Sequence, residues 1–372
     1  MTTRSRVNHT SQRTRIHRNQ QKTRDKHNGL NLLAEPDPAT IKILASSLLS
    51  WYKDNHRDLP WRRNRKAYSI WISEVMLQQT TVAAVIPYYE KFMACFPSVK
   101  DLAQAQLDEV YEQWAGLGYY SRARNLHKSA QILAKKGFPK MAADLQELPG
   151  FGPYTSRAVS SIAFDEPVGV LDGNVIRVLC RVLGWSVAWW KTAERACLQK
   201  AADQLAQQGP SHLLNQGLME LGATVCTPAS PNCLLCPWSA RCEARKQDQI
   251  TGLPLKKPRK SLEVWVWTPQ ILMKNSKVAL VKNDYAPFLK GQMIFPGSVQ
   301  KQSKRPKTYD LKHGITHHDI YIQVQKPLQF RDSHKKTRDK FKDKGYQWVQ
   351  LQGLKKINPS NVLQKILQHF LA

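Results

Sequence analysis

The sequence lacks the features of a membrane or secreted protein. No run of apolar residues approaches the roughly 18 needed for a membrane-spanning helix, and no apolar signal-peptide core follows the first methionine. The seven cysteines are odd in number, and four of them fall within residues 226–242, which is not typical of a disulfide framework. We therefore expect an intracellular protein with no membrane partner.

Acidic residues are scarce: 28 Asp and Glu stand against 56 Lys and Arg, giving a formal net charge of +28. Residues 1–34 hold eight basic residues and one acid, residues 35–255 hold 24 and 20, and residues 256–372 hold 24 and 7. Such an excess favours a polyanionic partner, most often nucleic acid, although a merely basic soluble protein has the same balance.

Composition divides the 372 residues into five stretches. Residues 1–34 are predicted to be a disordered basic tail, with an organelle transit peptide as the alternative. Residues 35–225 show helical apolar spacing, residues 226–244 hold the four close cysteines, and residues 245–261 have a linker composition. Residues 262–372 mix strand-like runs with a final amphipathic helix over 361–371. The predicted fold is mainly α: an all-helical domain followed by a smaller α/β domain.

Within the helical stretch, apolar spacing predicts one helix over residues 71–92 and another over residues 102–114. Gly and Pro mark the turns between helices. Strands are predicted over residues 263–267, 277–281 and 320–324.

The cysteine loop has the pattern C-x₆-C-x₂-C-x₅-C. Four thiolates bind zinc or a [4Fe–4S] cluster. Zinc sites usually pair two C-x₂-C hairpins, and this loop has only one close pair, so the spacing favours iron–sulfur over zinc. The proposed ligands are Cys226, Cys233, Cys236 and Cys242.

A glycine-rich turn, residues 148–155, lies between two predicted helices. Pro149, Gly150 and Gly152 allow a tight hairpin with exposed backbone N–H groups, beside the start of the next helix. This arrangement binds phosphate without reading base sequence.

Two acids stand in contrasting settings. Glu74 lies in an apolar helix, where desolvation would raise its pKa toward that of a general acid. Asp172 precedes Gly173 at a predicted helix start, where its charge is favoured. Either acid alone is more often a solvated or capping group, so the functional interpretation depends on their occurrence with the hairpin and the cysteine loop.

Five strings carry a close resemblance to a known family. WISEVMLQQT, GLGYYSRARNLH, LPGFGPYTSRAV, LDGNVIRVL and NQGLMELGATVC are similar, in order, to adenine DNA glycosylases of the endonuclease III, helix-hairpin-helix superfamily. The resemblance implies a monofunctional base excision repair enzyme with a [4Fe–4S] cluster, which removes adenine opposite 8-oxoguanine or guanine from double-stranded DNA. It further implies a monomer located in the bacterial cytoplasm, associated with the nucleoid.

The resemblance also implies catalytic roles. Glu74 would protonate the adenine at N7, and Asp172, helped by Asn174 and Tyr154, would stabilise the cationic sugar. Relatives that cut the backbone have a Schiff-base lysine where this chain has Tyr154.

Other residues are implied to bind the substrate. Gln216 would recognise the adenine edge, and Tyr119 or Tyr120 would wedge into the base stack. Further positions that match the family's pocket or strand contacts are Arg57, Trp61, Arg62, Leu77, Gln79 and Glu220.

The C-terminal domain resembles the family's Nudix-like domain through the segment 288–297, but it shows no acidic Nudix box. Thr316 and His317 stand where the family reads the lesion, and Ile315 replaces a usual Phe, which removes a stacking platform. Two other functions remain open: an endonuclease III-like glycosylase for pyrimidines, and a non-catalytic iron–sulfur protein that binds DNA.

Overall fold

The computed structural model of the chain describes residues 35–258, 261–329, 345–358 and 360–371. The chain divides into two units between Lys257 and Pro258, within the stretch predicted as a linker. The predicted basic tail, residues 1–34, lies outside the described residues. No helix in the described ranges is long and apolar enough to span a bilayer.

The first unit is helical, and local signals set several helix starts. Asp37 accepts a hydrogen bond from the Thr40 N–H at 3.0 Å, and Pro38 occupies the first helical position. The helices are α1 (Pro38–Asn55), α2 (Ala67–Leu77), α3 (Val82–Cys95), α4 (Val99–Gln104), α5 (Leu107–Trp114), α6 (Tyr120–Lys136), α7 (Ala142–Gln146), α8 (Pro153–Phe164), α9 (Gly173–Val182), α10 (Thr192–Ala206), α11 (Ser211–Thr224) and α12 (Glu243–Lys246).

The prediction of one helix over residues 71–92 is wrong. Helix α2 ends at Leu77, and Gln79 takes a left-handed conformation with φ of 59°. The Arg122 guanidinium donates to the carbonyls of Val75, Met76 and Gln78 at 2.7, 3.0 and 2.8 Å, which satisfies the last turn of the helix.

The predicted helix over residues 102–114 is also divided, because α4 ends at Gln104 and α5 starts at Leu107. A capping box between Gln106 and Glu109 begins the second helix. Apolar residues on both sides of this break, such as Leu102 and Val110, enter the same core, so apolar spacing continues across it.

Two hydrophobic cores form within the helical unit. The first is built from buried side chains between Leu59 and Val170, and the second from helices α1 and α9–α11 together with Trp238. The chain passes from one core to the other at residues 170 and 171. Side chains from α2 and α8 therefore meet side chains from α9 and α11 at the boundary between the cores.

In its described residues, the second unit contains a mixed sheet and two α-helices. Strand β1 pairs in parallel with β6 and β7, and antiparallel with β2 and β4. Helix α14 packs its apolar face into the core formed with Trp267 and Phe295, and its bounds are those predicted. The elements are β1 (Glu263–Lys274), β2 (Lys277–Lys282), β3 (Met293–Ile294), β4 (Gly297–Gln302), β5 (Leu311–Ile315), β6 (His318–Ile322), β7 (Gln325–Gln329), β8 (Gln347–Gln350), α13 (Leu354–Ile357) and α14 (Asn361–Leu371). The prediction of a helical domain followed by a smaller α/β domain is confirmed.

Candidate active site

A cavity of about 800 Å³ opens where the two cores of the helical unit meet. It brings together most of the site residues predicted from sequence. The predicted residues that line it are Arg57, Trp61, Arg62, Glu74, Leu77, Gln79, Gly150, Gly152, Tyr154, Asp172, Asn174, Gln216 and Glu220.

Glu74 is the buried acid of the cavity, with 5% of its surface exposed. Helix α2 is buried on nearly all sides, so the Glu74 side chain has little access to water. The Tyr154 hydroxyl donates a hydrogen bond to its carboxylate at 2.7 Å. Burial raises the pKa of Glu74 to about 7 although this hydrogen bond opposes the shift. A carboxyl group of this kind exchanges a proton near neutral pH, as a general acid requires.

Asp172 caps helix α9. Its side chain accepts hydrogen bonds from the Val175 N–H at 2.7 Å and from Asn174 Nδ2 at 3.1 Å. Burial raises its pKa, and these hydrogen bonds together with the nearby Arg177 charge oppose the shift. The sequence indicated that Asp172 caps the helix and that the cap stabilises its negative charge. It did not indicate that burial would raise the pKa of the same carboxyl group.

Tyr154 is the second residue of α8 and connects the two sides of the cavity. Its hydroxyl contacts Glu74 and lies 3.6 Å from the Met219 sulfur on α11. Burial and the nearby acids raise its pKa well above the ordinary value. Tyr154 therefore remains a neutral hydrogen-bond donor to Glu74, and it offers no amine for a Schiff base.

Glu220 forms a buried ion-pair network with two arginines. Its carboxylate accepts hydrogen bonds from Arg57 Nε at 2.7 Å and from Arg62 Nη2 at 2.8 Å. Burial would raise the pKa of Glu220, but the hydrogen bonds from both arginines outweigh it and hold the pKa at about 2. The three side chains line the cavity, where the two arginines share the single Glu220 carboxylate and one positive charge is left over.

The remaining cavity residues differ in exposure. Gln216 is half-buried, and its Nε2 donates to the His212 carbonyl one turn earlier in α11 at 3.0 Å. Trp61 is buried and packs edge-on against Tyr89, with ring centroids 5.3 Å apart, so it also serves the core. Leu77 ends α2, and the exposed Gln79 follows it.

The hairpin between α7 and α8 requires glycine at position 150. Gly150 has φ of 84°, and a Cβ there would lie 2.8 Å from the Asn125 Cβ. Ser129 donates to the Pro149 carbonyl at 2.6 Å, and Phe151 stacks on Trp71. Gly150 and Gly152 are exposed beside the start of α8, where backbone N–H groups suit an anionic phosphate.

The two tyrosines of the GLGYY turn have different positions. Tyr119 has 56% of its surface exposed and a left-handed φ of 49°. Tyr120 is half-buried, and its ring packs edge-on against Tyr111 at 5.5 Å. Tyr119 is thus the more exposed of the two predicted wedge residues, and its ring lies 5.6 Å from the Arg122 guanidinium. Neither lines the cavity.

The four predicted cysteine ligands line a second, small cavity of about 30 Å³. Arg181 Nη1 lies 3.4 Å from the Cys226 sulfur. Within the described ranges, no three of the four sulfur atoms lie within 4.8 Å of one another. Thiolates on one zinc ion stand about 3.8 Å apart, as bonds of about 2.3 Å in a tetrahedron require. Four cysteine sulfurs around one small cavity are a donor set that suits zinc or an iron–sulfur cluster.

Thr316 and His317 lie in the second unit, at the turn between β5 and β6. Thr316 has φ of 55°, and its hydroxyl donates to the Ile315 carbonyl at 2.7 Å. Glu263 contacts both His318 Nε2, at 3.2 Å, and Lys301 Nζ, at 2.5 Å. The Lys301 ammonium already neutralises the Glu263 carboxylate. Glu263, Lys301 and His318 therefore form an ion-pair network.

Two buried arginines of α9, Arg177 and Arg181, were not predicted from the sequence. Arg177 donates to Asn174 Oδ1 at 2.8 Å and to the carbonyls of Gly222 and Cys226, both at 2.7 Å. It thus links the start of α9 to the cysteine loop. The sequence did hold a signal for them: Arg177 and Arg181 lie one turn apart in a strongly amphipathic helix whose other residues are mostly apolar.

Comparison with known proteins agrees with this scaffold. Residues 72–202 match the HhH-GPD superfamily of base excision DNA repair proteins. A solved thermostable thymine-DNA glycosylase superposes with a TM-score of 0.52 and 29% identity, over 57% of this chain and 100% of that one. The fold, the hairpin and the cavity thus define a helix-hairpin-helix DNA glycosylase scaffold.

Two curated relatives are more specific. The chain is 46% identical over 233 residues to adenine DNA glycosylase of Mus musculus, which is 59% of this chain but only 45% of the mouse protein. It is 32% identical over 354 residues to adenine DNA glycosylase of Buchnera aphidicola subsp. Acyrthosiphon pisum, covering 89% of this chain and 98% of that protein. The chain belongs to the adenine DNA glycosylase family, as its sequence motifs predicted.

Proposed function

We propose that this protein is a monofunctional DNA glycosylase that hydrolyses the N-glycosidic bond of adenine paired with 8-oxoguanine or guanine in double-stranded DNA. The observation that carries the proposal is the pair of acids in one cavity. Burial raises the pKa of Glu74 to about 7 although the Tyr154 hydroxyl donates a hydrogen bond to it, and Asp172, which lines the same cavity, caps helix α9. One acid is suited to give a proton and the other to offset positive charge.

The adenine would enter the cavity by flipping out of the duplex, since no side chain reaches a stacked base's glycosidic bond. Glu74 gives its proton to N7, and the bond between N9 and the sugar C1′ breaks as adenine leaves. Asp172 stabilises the cationic sugar, with Asn174 and Tyr154 holding the two acids in place. A water molecule then adds to C1′, and its proton returns to Glu74, which restores the starting state.

Two features favour a monofunctional adenine glycosylase over an endonuclease III-like enzyme that acts on pyrimidines and cuts the strand. Tyr154 occupies the position of the lysine that forms a Schiff base in relatives which cut the backbone. Gln216 offers both a donor and an acceptor to an adenine edge. In the second unit, Thr316 and His317 supply hydrogen-bonding groups for 8-oxoguanine, whereas Ile315 supplies no aromatic platform.

We also propose that Cys226, Cys233, Cys236 and Cys242 hold a [4Fe–4S] cluster. When bound, the cluster would fix the loop that follows α11, and the reaction needs no electron transfer from it. Iron and acid-labile sulfide analysis of the purified protein tests this. Four irons per chain in the wild type and loss of iron in Cys236→Ser are expected; zinc with no sulfide would contradict the proposal.

The activity is tested with three duplexes that carry adenine opposite 8-oxoguanine, adenine opposite guanine, or thymine opposite guanine. Adenine release from the first two is expected, with the strand intact until alkali is added. Strand cleavage without alkali, or action on thymine, would favour the endonuclease III-like alternative. Binding with no base release would favour a non-catalytic protein. Sedimentation of the protein alone and with one duplex tests the expected monomer.

A further inference from the structure

The segment that leads into Asp172, residues 168–171, takes its hydrogen bonds from side chains on two neighbouring helices. Asn215 on α11 is completely buried. Its Oδ1 accepts from the Val170 N–H at 2.8 Å, and its Nδ2 donates to the Val168 carbonyl at 2.8 Å. One amide side chain thus satisfies a backbone donor and a backbone acceptor, as a neighbouring strand would.

Helix α10 holds the residue between those two. The Gly169 N–H donates to Asp203 Oδ1 at 2.7 Å, and Gln199 Nε2 donates to the Gly169 carbonyl at 2.8 Å. Asp203 is itself held by Arg157 of α8 at 2.6 Å. The segment is therefore fixed by side chains from α8, α10 and α11 together.

Close packing holds the segment against α10 as well. A Cβ on Gly169 would lie 2.3 Å from the Ala202 carbonyl carbon and 2.5 Å from its oxygen. Real Cβ atoms do not approach backbone atoms so closely, so the segment cannot move toward α10. Its position relative to that helix is fixed by contact on one side and by the Asn215 amide on the other.

We propose that Asn215 is a positioning residue for Asp172. Asn215 does not contact Asp172 itself. It holds the backbone of Val168 and Val170, four and two residues before Asp172, and so fixes where Asp172 enters the cavity. Gln199, which holds the Gly169 carbonyl, contributes to the same positioning to a smaller extent. The proposal rests on the proposed function, because Asp172 must stand close to the sugar. A displacement of about 1 Å at a reacting group costs on the order of 100-fold in rate.

The first test measures the segment itself and needs no activity. Amide hydrogen exchange, read by mass spectrometry, is compared in wild type, Asn215→Ala and Tyr68→Phe, all as the full chain. The control also loses one buried hydrogen bond to a backbone carbonyl, that of Tyr68 to Phe96, in the other core. Faster exchange in peptides that cover residues 168–172 is expected for Asn215→Ala only. Unchanged exchange there, or the same change in Tyr68→Phe, would overturn the proposal.

The second test asks whether Asn215 acts through Asp172. Single-turnover adenine release and duplex affinity are measured for Asn215→Ala, Asp172→Asn and the double variant. Asn215→Ala should release adenine tens of fold more slowly with unchanged affinity, and it should add little to Asp172→Asn. Full additivity in the double variant would mean that Asn215 does not act through Asp172.

Gln199→Ala provides a milder variant if Asn215→Ala does not fold. It should show a smaller loss of rate that likewise disappears in the Asp172→Asn background, and an additive loss would again contradict the proposal. If the wild type releases no adenine from any duplex, the proposed function fails, while the exchange experiment still decides whether Asn215 fixes the segment.

Discussion

At the scale of single residues, the cavity separates three acids by what surrounds them. Burial raises the pKa of Glu74 to about 7 and also raises that of Asp172, whereas two arginines hold the pKa of Glu220 at about 2. Glu220 is therefore a structural anion at neutral pH. Glu74 is the acid that exchanges a proton in the physiological range, which is why the proton donor is assigned to it.

The proton donor predicts a pH dependence. Glu74 is protonated below a pKa of about 7, so single-turnover release should fall as pH rises through that value. The Tyr154 hydroxyl stabilises the carboxylate and lowers its pKa, so Tyr154→Phe should raise the pKa and move the alkaline limb to higher pH. The measurement is a pH–rate profile with saturating enzyme. Tyr68→Phe serves as control, and an unmoved limb in Tyr154→Phe would refute the coupling.

Removing the Glu220 carboxylate is expected to destabilise the folded protein. The folded pKa of Glu220, about 2, lies below the ordinary value of 4.5, so the stabilisation is present above about pH 4.5 and is lost as pH falls toward 2. The shift corresponds to about 3 kcal/mol. Glu220→Gln should lower the free energy of unfolding at pH 7 by a similar amount, on the order of 3–5 kcal/mol, because two arginines lose their partner.

Urea unfolding at pH 7 measures this loss. The matched control is Asp58→Asn, which breaks an exposed pair with Arg63 at 2.8 Å and should cost less than about 1 kcal/mol. Equal losses in the two variants would show that burial of the Glu220 network contributes nothing.

At the scale of elements, helix α11 organises the cavity. Within six residues it presents Asn215 to the segment before Asp172, Gln216 to the cavity, Met219 to Tyr154, and Glu220 to Arg57. The cavity walls from both cores therefore share one support. A shift of α11 would disturb the segment before Asp172, the Gln216 amide and the ion-pair network together.

A change in the hairpin is expected to weaken binding to lesion and undamaged DNA equally. Gly150→Ala would put a Cβ on a residue whose φ is left-handed, and that Cβ would lie 2.8 Å from the Asn125 Cβ. The hairpin should therefore shift. Affinity should fall roughly 10-fold for lesion and undamaged duplexes alike, because phosphate contacts carry no sequence information. Fluorescence anisotropy with both duplexes measures it. Gly252→Ala, where a Cβ meets only an ordinary contact, should bind as wild type; a loss confined to the lesion duplex would contradict the assignment.

Local pattern was enough to predict most elements, because each carries its own signals. The hairpin glycines, the Asp172 cap and the terminal helix α14 all depend on residues close in sequence. The break after Leu77 was not predictable, since the guanidinium that satisfies it belongs to Arg122, more than forty residues away. The different exposure of Tyr119 and Tyr120 likewise could not be predicted, because both are tyrosines in the same turn.

At the scale of the whole molecule, charge and catalysis are separated along the chain. Residues 35–255, which supply the cavity, have 24 basic and 20 acidic residues, a net +4, whereas residues 1–34 and 256–372 carry the rest of the +28. Electrostatic attraction to DNA is therefore expected to come largely from outside residues 35–255. The long-range contacts that build the site, such as Glu220 with Arg57, could not be read from these counts.

Deleting residues 1–34 tests this separation. These residues carry eight basic side chains and one acid. Counterion release makes affinity fall with salt in proportion to the phosphates neutralised, so the deletion should flatten the salt dependence of binding to undamaged DNA. Single-turnover release at saturating enzyme should change little. Parallel log–log lines for the two proteins would show that the tail does not contact DNA, and a collapse of release would place it in the fold.

The most direct measurement is single-turnover adenine release from an adenine–8-oxoguanine duplex by wild type and Glu74→Gln, with duplex affinity determined for both. The amide keeps the shape of the buried side chain and its contact with Tyr154, but it has no proton to deliver. Glu74→Gln is expected to bind the duplex as tightly as wild type and to release adenine at least about 100-fold more slowly. Release within a few-fold of wild type would contradict the assignment of Glu74 as the proton donor.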